Sequence, residues 1–571
     1  MTRTRIAKFI VIFIFLFLFF DILYLGIIHG RRFRELSNKN CVRLFPQEGS
    51  RGRIIDTQGR TIIDNELCYD LSLVSENTGQ VDSILKDVSE ILGRDFNELK
   101  DVFRNNFIYS SALITIAKDI DVKSAIAIEE LKPNLDGIII LPRPRRRYSH
   151  ERLASHVIGY INEIDRWRLT KLADYGYKTK DIVGFGGVEE KYDYYLRQEE
   201  GGLSIEVDSR GKFVRALGFR PPKNGKDLQL TLDLKMQEIA EDGLAEKKGA
   251  VVIMDPYNGQ IFAMASSPDF SPAAFVNKEN AYLRNLFSDA SAPLVNRAIS
   301  SSYPAGSIFK LVVATAGLET GKIDLSTTFS CPGSIHVGKQ KFSCWDTHDE
   351  VNLIDAIAHS CNVFFYRTGL LLGPQTIHDW AVKFGFSKAT SVNLPYEIDG
   401  VVPNPLWRRI YRLRNWFDGD TVNFSIGQGE LLITPLQAVR MIAVFANGGF
   451  LVTPYIVKAV DGRDVSSYYQ RTTPLRIKSS TLDSIRKGLR NAVADVSGTA
   501  SVLSTLSVSV AGKTGTAQAP PGQPHGWFLG YFPYKNPKFV ICVFLERGGA
   551  GYYATSVAKQ IIERLIKEGL I

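Results

Sequence analysis

Three short polar motifs, in fixed order across the second half of the chain, constrain its fold more than any other feature. They are Ser307-Ile308-Phe309-Lys310, Ser360-Cys361-Asn362 and Lys513-Thr514-Gly515-Thr516. Each motif says little alone, because a serine and a lysine three positions apart are common on solvated helix faces. Together they supply every part of a serine acyl-transfer site that works without histidine. We therefore expect a fold that brings these three segments to one site.

The chemistry of the first two motifs explains their residue types. A serine hydroxyl is a poor nucleophile until a base takes its proton. If Ser307 opens a helix, Lys310 lies one turn later on the same face, and burial would let its amine act as the base near neutral pH. Ser360 can pass a proton between Lys310 and a leaving amine, and Asn362 can hold a substrate amide. Ser360 and Asn362 alone would also suit a helix cap, so the order of the motifs carries the catalytic interpretation.

The third motif follows a strand-like segment, residues 508–512, whose edge can pair with an extended peptide. Its lysine and first threonine can bind a substrate carboxylate, and Gly515 lets a substrate approach the backbone closely. Alone, the same letters would suit an ordinary turn. Trp527 and His525, which follow the motif, are not assigned a catalytic role. Trp527 is expected to pack in the interior, and His525 is expected to be a solvated turn residue.

At these motifs the chain resembles a class B penicillin-binding protein, most closely the elongation-type members of the penicillin-binding protein 2 group. The resemblance covers nearly the whole chain after the first ~50 residues, because signature segments recur in the expected order. These further segments lie at residues 51–60, 156–160, 184–189, 249–256, 296–298, 425–429 and 434–437.

The resemblance implies a peptidoglycan D,D-transpeptidase that crosslinks stem peptides through a Ser307 acyl-enzyme during cell elongation and that β-lactams acylate. Backbone N–H groups of Ser307 and Thr516 would form the oxyanion hole. The catalytic residues would be Ser307, Lys310, Ser360, Asn362 and Lys513. Thr514, Gly515 and Thr516 would bind the substrate, with Lys513 helping to hold its carboxylate. Three alternatives stay open: a D,D-carboxypeptidase or β-lactamase of the same chemistry, a non-enzymatic β-lactam sensor, and a division-specific transpeptidase.

The fold implied by the resemblance is an α/β (α+β) transpeptidase domain, with an antiparallel sheet flanked by helices, on an elongated mixed α/β pedestal. An apolar run at residues 9–28, broken only by Asp21, is long enough to span a bilayer. Arg3, Arg5 and Lys8 precede this run, so the positive-inside rule keeps the N-terminus cytoplasmic. No small-residue cleavage site is evident, which favours an uncleaved signal anchor.

These features predict a single-pass protein of the cytoplasmic (inner) membrane whose catalytic domain lies outside the cytoplasm. The predicted parts are a cytoplasmic tail at 1–8, a transmembrane anchor at 9–28, a non-catalytic pedestal at 29–225 and the transpeptidase domain at 226–571. The resemblance also implies partners: a SEDS-family glycosyltransferase and other elongation-complex membrane proteins. The sequence does not tell whether the acceptor amine belongs to diaminopimelate or to lysine.

Composition agrees with a globular protein of more than one domain. The chain has 571 residues, of which 45% are hydrophobic and 23% charged. Its net charge of +9 is modest for this length, and we find no basic run interleaved with aromatic residues. Nucleic acid is therefore not expected as a ligand.

The cysteines give a second signal. Cys331, Cys344 and Cys361 fall within 31 residues, with His348 between them. A Cys₃His set suits one tetrahedral structural zinc, and the resemblance implies a zinc site in this segment in some elongation-type relatives, which use acidic residues where this chain has Cys331 and Cys344. Two other interpretations stay open, a Cys331–Cys344 disulfide and buried free thiols, and Asp346 is an alternative ligand. The remaining cysteines are Cys41, Cys68 and Cys542.

Overall fold

The computed structural model describes residues 2–33, 42–74, 81–106, 113–131, 138–207 and 213–571. The chain forms two compact units. The N-terminal unit comprises Met1–Gly52, Asn65–Arg147 and Arg197–Gly225. The second, here called the motif unit because all three polar motifs lie in it, comprises Arg53–Asp64, Tyr148–Leu196 and Lys226–Ile571. The domain boundaries given above stay predictions.

The first helix of the N-terminal unit, Thr2–Ile27, is apolar along nearly its whole length. Its segment Arg5–Ile27 has 23 residues, a mean hydropathy of 2.8 and no buried residue. At 1.5 Å per residue the segment is about 35 Å long, which is enough to cross the hydrocarbon core of a bilayer. The helix therefore fits a single-pass membrane anchor.

The rest of the N-terminal unit combines two sheets with three helices. In one sheet Gly201–Val207 lies between two antiparallel neighbours. In the other, residues 65–74 pair with two strands, and helices bury residues such as Leu85 and Val88 against them. The helices are Val81–Leu92, Phe96–Asn106 and Val122–Leu131, and the strands are Val42–Gln47, Thr61–Val74 (which begins in the motif unit), Leu113–Ile120, Ile138–Tyr148, Gly201–Val207 and Phe213–Arg220.

The centre of the motif unit is a five-stranded sheet in which all neighbours are antiparallel. The strands of this central sheet lie in the order Ile261–Ser267, Gly249–Met254, Phe539–Leu545, His525–Phe532 and Ala511–Ala517. Successive side chains of a strand point to opposite faces. Val251 and Ile253 accordingly enter one hydrophobic core, and Val252 and Met254 enter another. The central sheet is thus buried on both faces.

Helices cover both faces of the central sheet. Leu234–Gly243 and Gly551–Lys567 pack into one core, and Pro435–Ala446 packs into the other. The last of these begins with a capping box between Thr434 and Gln437, with Pro435 at its first position. The predicted fold class, an antiparallel sheet flanked by helices, is confirmed.

The remaining elements of the motif unit range from single turns to the 22-residue helix Asn362–Lys383. Its other helices, single turns included, are Ser155–Ile158, Arg166–Leu172, Ala173–Tyr175, Gly187–Lys191, Asp193–Leu196, Ala273–Val276, Asn280–Ser288, Gly306–Phe309, Lys310–Glu319, Leu353–Ala358, Asn362–Lys383, Pro405–Arg412, Asp418–Ser425, Ser466–Tyr468, Ser479–Ala494 and Ser501–Thr505. Its other strands are Ile54–Ile55, Tyr160–Glu163, Ile182–Phe185, Leu228–Leu230, Thr328–Cys331, Ser334–Val337, Gln340–Ser343, Asp349–Asn352, Phe450–Val452, Val457–Val460, Arg463–Asp464 and Thr472–Pro474.

Candidate active site

Ser307 lies in a tight 3₁₀ turn, Gly306–Phe309, that leads directly into the helix Lys310–Glu319. Its side chain is half-buried. The preceding Gly306 has a φ of +58°, and a Cβ atom there would lie 2.7 Å from the carbonyl oxygen of Thr516. Only glycine permits this approach, so the first and third motifs meet through their backbones.

Lys310 is fully buried. Its Nζ donates to Asn362 Oδ1 at 2.6 Å and to the Ser360 carbonyl at 2.9 Å, and lies 3.2 Å from Ser360 Oγ. Burial lowers the pKa of Lys310 to about 8, because a charged amine is poorly solvated there. A neutral amine donates two hydrogen bonds and keeps a lone pair, so this geometry suits both a base and a proton exchange with Ser360.

The second motif forms a turn between the helices Leu353–Ala358 and Asn362–Lys383. Ser360 is buried and has a φ of +56°, a left-handed conformation that costs a non-glycine residue roughly 1 kcal/mol. Asn362 Nδ2 donates to the carbonyl of Ser343 at 3.2 Å. The turn thus aims both polar side chains of the motif at Lys310.

The third motif lies within Ala511–Ala517, the last strand of the central sheet. Among the described residues, only His525–Phe532 pairs with this strand, so its other edge is open to an extended peptide. Lys513 is fully buried, and its Nζ donates to the Thr514 carbonyl at 3.1 Å. Burial, and next the positive charge of Lys310, lower the pKa of Lys513 well below its ordinary value.

Three contacts that sequence reasoning missed hold these motifs together. Gly306 N donates to the carbonyl of Gly427 at 2.8 Å. Gln428 Nε2 lies 3.5 Å from the Thr516 carbonyl, and the backbone N–H of Gly551 donates to Thr516 Oγ1 at 3.0 Å. The glycines at residues 425–429 indicate that another backbone segment approaches closely there, but the sequence does not identify that segment.

His525 is not the solvated turn residue that we expected. It is buried at the start of the strand His525–Phe532, and its Nδ1 accepts from the backbone N–H of Arg547 at 3.0 Å. The prediction is wrong because glycines and prolines next to a residue do not prevent it from pairing in a sheet. Trp527 is fully buried, as expected of a packing residue, and its Nε1 donates to the Pro304 carbonyl at 3.0 Å.

The four predicted metal ligands meet beside the second motif. The Sγ atoms of Cys331, Cys344 and Cys361 and a ring nitrogen of His348 all lie within 4.8 Å of one another. His348 Nδ1 is 3.5 Å from Cys331 Sγ and 3.6 Å from Cys344 Sγ. Ligands 2.0–2.3 Å from a tetrahedral zinc would be about 3.5 Å apart, so this set, here called the Cys/His cluster, could hold a metal ion.

The structure argues against the disulfide and against Asp346 as a ligand, and it leaves the free-thiol interpretation open. Cys331 and Cys344 are free thiols rather than a disulfide. Asp346 is exposed, and its carboxylate accepts from the N–H of Thr347 at 2.8 Å, outside the cluster. Cys68 and Cys542 are buried free thiols elsewhere, and Cys41 lies outside the described residues.

The Cys/His cluster is joined to the catalytic motifs by backbone. Cys361 is the middle residue of the second motif, and the N–H of Asn362 donates to Cys344 Sγ at 3.1 Å. The Cys361 thiol, with this and other N–H groups, lowers the pKa of Cys344. A thiolate is the form that binds metal, so the cluster suits a cation.

A serine at a helix start, a buried lysine one turn later and two polar motifs converging at the edge of an antiparallel sheet define a serine acyl-transfer protein. Comparison with known families agrees. The family described as "Penicillin binding protein transpeptidase domain" matches residues 249–567, and that described as "Penicillin-binding Protein dimerisation domain" matches residues 46–230. The chain belongs to the penicillin-binding proteins.

Individual relatives cover almost the whole chain. "Peptidoglycan D,D-transpeptidase MrdA" of Acinetobacter baumannii is 33% identical over 95% of this chain and 84% of its own. The structure of a complex between PBP2 and MreC from Helicobacter pylori superposes with a TM-score of 0.82 at 28% identity, covering 93% of this chain and 99% of the other. A structure titled "Structural coordination of polymerization and crosslinking by a peptidoglycan synthase complex" matches with a TM-score of 0.74 at 28% identity over 98% and 97% of the two chains.

Proposed function

We propose that this chain is an elongation-type peptidoglycan D,D-transpeptidase, with Ser307 as nucleophile and Lys310 as general base. The observation that carries the proposal is the fully buried Lys310, which contacts Ser360 and Asn362 while the turn of Ser307 abuts the third motif at Thr516. The names of the full-length relatives support the reaction and the elongation type over the alternatives.

Acylation begins with a stem peptide that ends in D-Ala-D-Ala. Ser307 Oγ attacks the carbonyl of the penultimate D-alanine while Lys310 takes the hydroxyl proton. The N–H groups of Ser307 and Thr516 stabilise the oxyanion. The C–N bond then breaks, and terminal D-alanine leaves with a proton delivered from Lys310 by way of Ser360.

Transfer completes the crosslink. The side-chain amine of a neighbouring stem peptide attacks the ester carbonyl of the acyl-enzyme and loses its proton to Lys310. The ester C–O bond breaks, and Lys310 returns the proton to Ser307 Oγ. Lys513 and Thr514 bind the terminal carboxylate of the donor, and Gly515 lets the donor backbone lie along the open edge of the strand Ala511–Ala517. A β-lactam would enter the same path because its strained amide imitates the D-Ala-D-Ala end.

The test is the intact mass of the full chain in detergent, with and without a penicillin. We expect one drug-sized mass increment that persists for hours and is absent from Ser307→Ala. Persistence matters because a β-lactamase would hydrolyse the ester. Loss of the adduct in the wild type, or its retention in a Ser307→Ala protein with unchanged Tm, would overturn the assignment of the nucleophile.

We further propose that the Cys/His cluster holds one structural zinc. Cys331, Cys344 and Cys361 would bind as thiolates and His348 through Nδ1; bound zinc would supply a rigid crosslink, not a reactant. The support is the spacing of the four donor atoms and the position of Cys361 inside the second motif. Elemental analysis of the purified chain should give one zinc per molecule, and a Cys344→Ser variant should give none.

The domain arrangement and location remain part of the proposal: a cytoplasmic tail at 1–8, an anchor at 9–28, a pedestal at 29–225 and a periplasmic transpeptidase domain at 226–571. The apolar N-terminal helix and the two family matches support this arrangement. A SEDS-family glycosyltransferase and other elongation-complex membrane proteins are the proposed partners, since one relative is in complex with MreC and another in a peptidoglycan synthase complex. Depletion should give rounded cells, whereas filaments would indicate a division role.

A further inference from the structure

A short helix of the motif unit, Pro405–Arg412, exposes apolar side chains that a surface helix normally buries. At 100° per residue, Leu406, Trp407, Ile410 and Tyr411 form one apolar face, and three arginines form the other. A surface helix normally turns its apolar face to the core. Here Leu406 is 61% exposed, Ile410 57% and Tyr411 66%.

Two of the three arginines on the other face, Arg408 and Arg412, join this helix to the rest of the motif unit. Arg408 Nη1 lies 2.6 Å from Asp420 Oδ1, and Arg412 Nε lies 3.1 Å from Glu430 Oε1. With these ion pairs made, Leu406, Ile410 and Tyr411 face solvent, while Trp407 is half-buried. A contiguous exposed apolar area of this kind marks an interaction site.

The exposed area continues past the helix and carries positive charge. Leu413 is 87% exposed and Phe417 is 68% exposed. Arg409 and Arg414 are exposed, and neither has an ion pair within the described part of the chain. We call these residues the outer patch: Leu406, Arg409, Ile410, Tyr411, Leu413, Arg414 and Phe417.

Two routes connect the outer patch to the catalytic motifs. Glu430, the partner of Arg412, is two residues from Gln428, which contacts the Thr516 carbonyl. Asp420, the partner of Arg408, follows Gly419, which lies against Phe342: a Cβ there would be 3.2 Å from its ring. Phe342 immediately precedes Ser343, whose carbonyl accepts from Asn362. The helix that carries part of the outer patch is therefore joined, through Arg408 and Arg412, to segments that contact the second and the third motif.

We propose that the outer patch is a binding subsite for the uncrosslinked peptidoglycan strand whose stem peptide enters the active site. The inference rests on the proposed function. A crosslinking enzyme acts on a polymer that must continue beyond its cleft. The pyranose rings of that polymer present C–H groups that pack on aromatic faces such as Tyr411 and Phe417, and its stem peptides carry carboxylates that complement Arg409 and Arg414.

The charge distribution favours this occupant. Of the four arginines in residues 405–417, Arg408 and Arg412 are paired with Asp420 and Glu430. The exposed Arg409 and Arg414 remain to attract an anionic polymer before it docks. The strand is also the one macromolecule that the neighbouring motifs must meet in every catalytic cycle. A protein partner or an anionic membrane surface could cover the same residues, and the test distinguishes them.

The experiment measures strand binding after the active site has been blocked. Full-length protein in detergent is first acylated with penicillin and then sedimented with uncrosslinked glycan strands that carry pentapeptide stems. We expect an Arg409→Ala/Tyr411→Ala variant to need about tenfold more strand for half-saturation than the wild type, the loss typical of a central aromatic and arginine pair. Penicillin acylation, and binding of the isolated pentapeptide to unblocked protein, should stay within twofold, because both use the cleft alone.

The matched control is Arg463→Ala/Tyr257→Ala, two exposed residues of the same unit, which should bind strands like the wild type. Equal strand binding by the patch variant and the wild type would overturn the proposal. So would a patch variant that loses binding only to vesicles of anionic phospholipid, or only to a co-purified protein. Failure of the wild type to take up penicillin would instead contradict the proposed function.

Discussion

The two buried lysines of the active site are held in opposite ways. Lys310 lies at the start of a helix and contacts three acceptor atoms of the second motif. Lys513 lies in the middle of a strand and donates to a single backbone carbonyl beside it. Both are fully buried, and burial lowers the pKa of both. Burial thus makes both amines ready to lose a proton, while the surrounding acceptors decide which one exchanges protons with its neighbours.

The supports behind the two lysines also differ. The strand of Lys513 is fixed by regular backbone pairing, with Lys513 opposite Leu529 and Gly515 opposite Trp527. The turn opposite Lys310 has no such ladder: Ser360 is in a left-handed conformation, and Asn362 rests on a cysteine sulfur. A strand is stabilised by the whole sheet, whereas this turn depends on a few side chains. The turn of the second motif is therefore the part of the site that a cysteine substitution or a metal chelator should disturb.

Removing either amine gives the largest expected effect and separates the two roles. Lys310→Ala should slow acylation by a fluorescent penicillin about 10³-fold or more, because the base is lost. Lys513→Ala should slow it about 10²-fold, because carboxylate binding is lost while the base remains. The second-order rate constant of acylation measures both. Lys535→Ala, which removes an exposed lysine, should leave the acylation rate unchanged. Equal rate losses in Lys310→Ala and Lys513→Ala would contradict the assignment of different roles to the two lysines.

Disturbing the Cys/His cluster should weaken only the turn. Cys344→Ala, or a zinc chelator on the wild type, should slow acylation about 10–100-fold, as loss of supporting metal contacts does elsewhere, and lower the Tm. Cys542→Ala, which removes a buried thiol of the central sheet, should lower the Tm. It should not slow acylation when the rate is measured well below that Tm. If the two cysteine variants slow acylation alike, the cluster has no special connection to the second motif.

The pH dependence should follow Lys310. The pKa of this residue is lowered from 10.5 to about 8, and the base is the neutral form, so activity rises as pH rises. Acylation should increase about tenfold between pH 7 and pH 9 and level off above the pKa. A stopped-flow pH profile tests this expectation, and a rate that falls between pH 7 and pH 9 would exclude Lys310 as the base.

The smallest expected effect comes from a substitution that presses on the strand that carries Lys513. A Cβ atom on Gly551 would lie 2.6 Å from the carbonyl oxygen of Gly515, so Gly551→Ala should shift the strand Ala511–Ala517. We expect an unfolding free energy lower by about 1–3 kcal/mol, the usual cost of overpacking, and a few-fold slower acylation. Gly218→Ala, where a Cβ meets nothing within 4 Å, is the control. An unchanged Tm in Gly551→Ala would mean that the sheet absorbs the shift.

Local chemistry explains which parts of this site the sequence predicted. The serine–lysine spacing fixes both residues on one helical turn, and the cysteine and histidine types predict a cluster once their spacing is seen. The approach of Gly306 to Thr516 spans more than 200 residues, so no local pattern contains it. The same holds for the contact of Gly427 with Gly306 and for the packing of His525 on Tyr303, because both pairs are distant in the chain.

One sequence conclusion is wrong for a different reason. We found no basic run interleaved with aromatic residues, yet residues 407–417 read Trp-Arg-Arg-Ile-Tyr-Arg-Leu-Arg-Asn-Trp-Phe. The modest net charge of the chain concealed this local excess. Even once noticed, the helical period alone would have turned the apolar side of Pro405–Arg412 inward, because the ion pairs with Asp420 and Glu430 that turn it outward are tertiary contacts.

The strand order of the central sheet also sets when this protein can fold. Gly249–Met254 lies between its hairpin partner and Phe539–Leu545, a neighbour about 290 residues further along the chain. Long-range pairing of this kind closes late and slowly. The strand Gly249–Met254 therefore keeps one edge unpaired until almost the whole chain has been synthesised. During that interval the nascent protein is exposed to aggregation and proteolysis. A truncation that removes only the last strand and helix would separate the central sheet into two hairpins and leave the turn of Ser307 without its intact sheet.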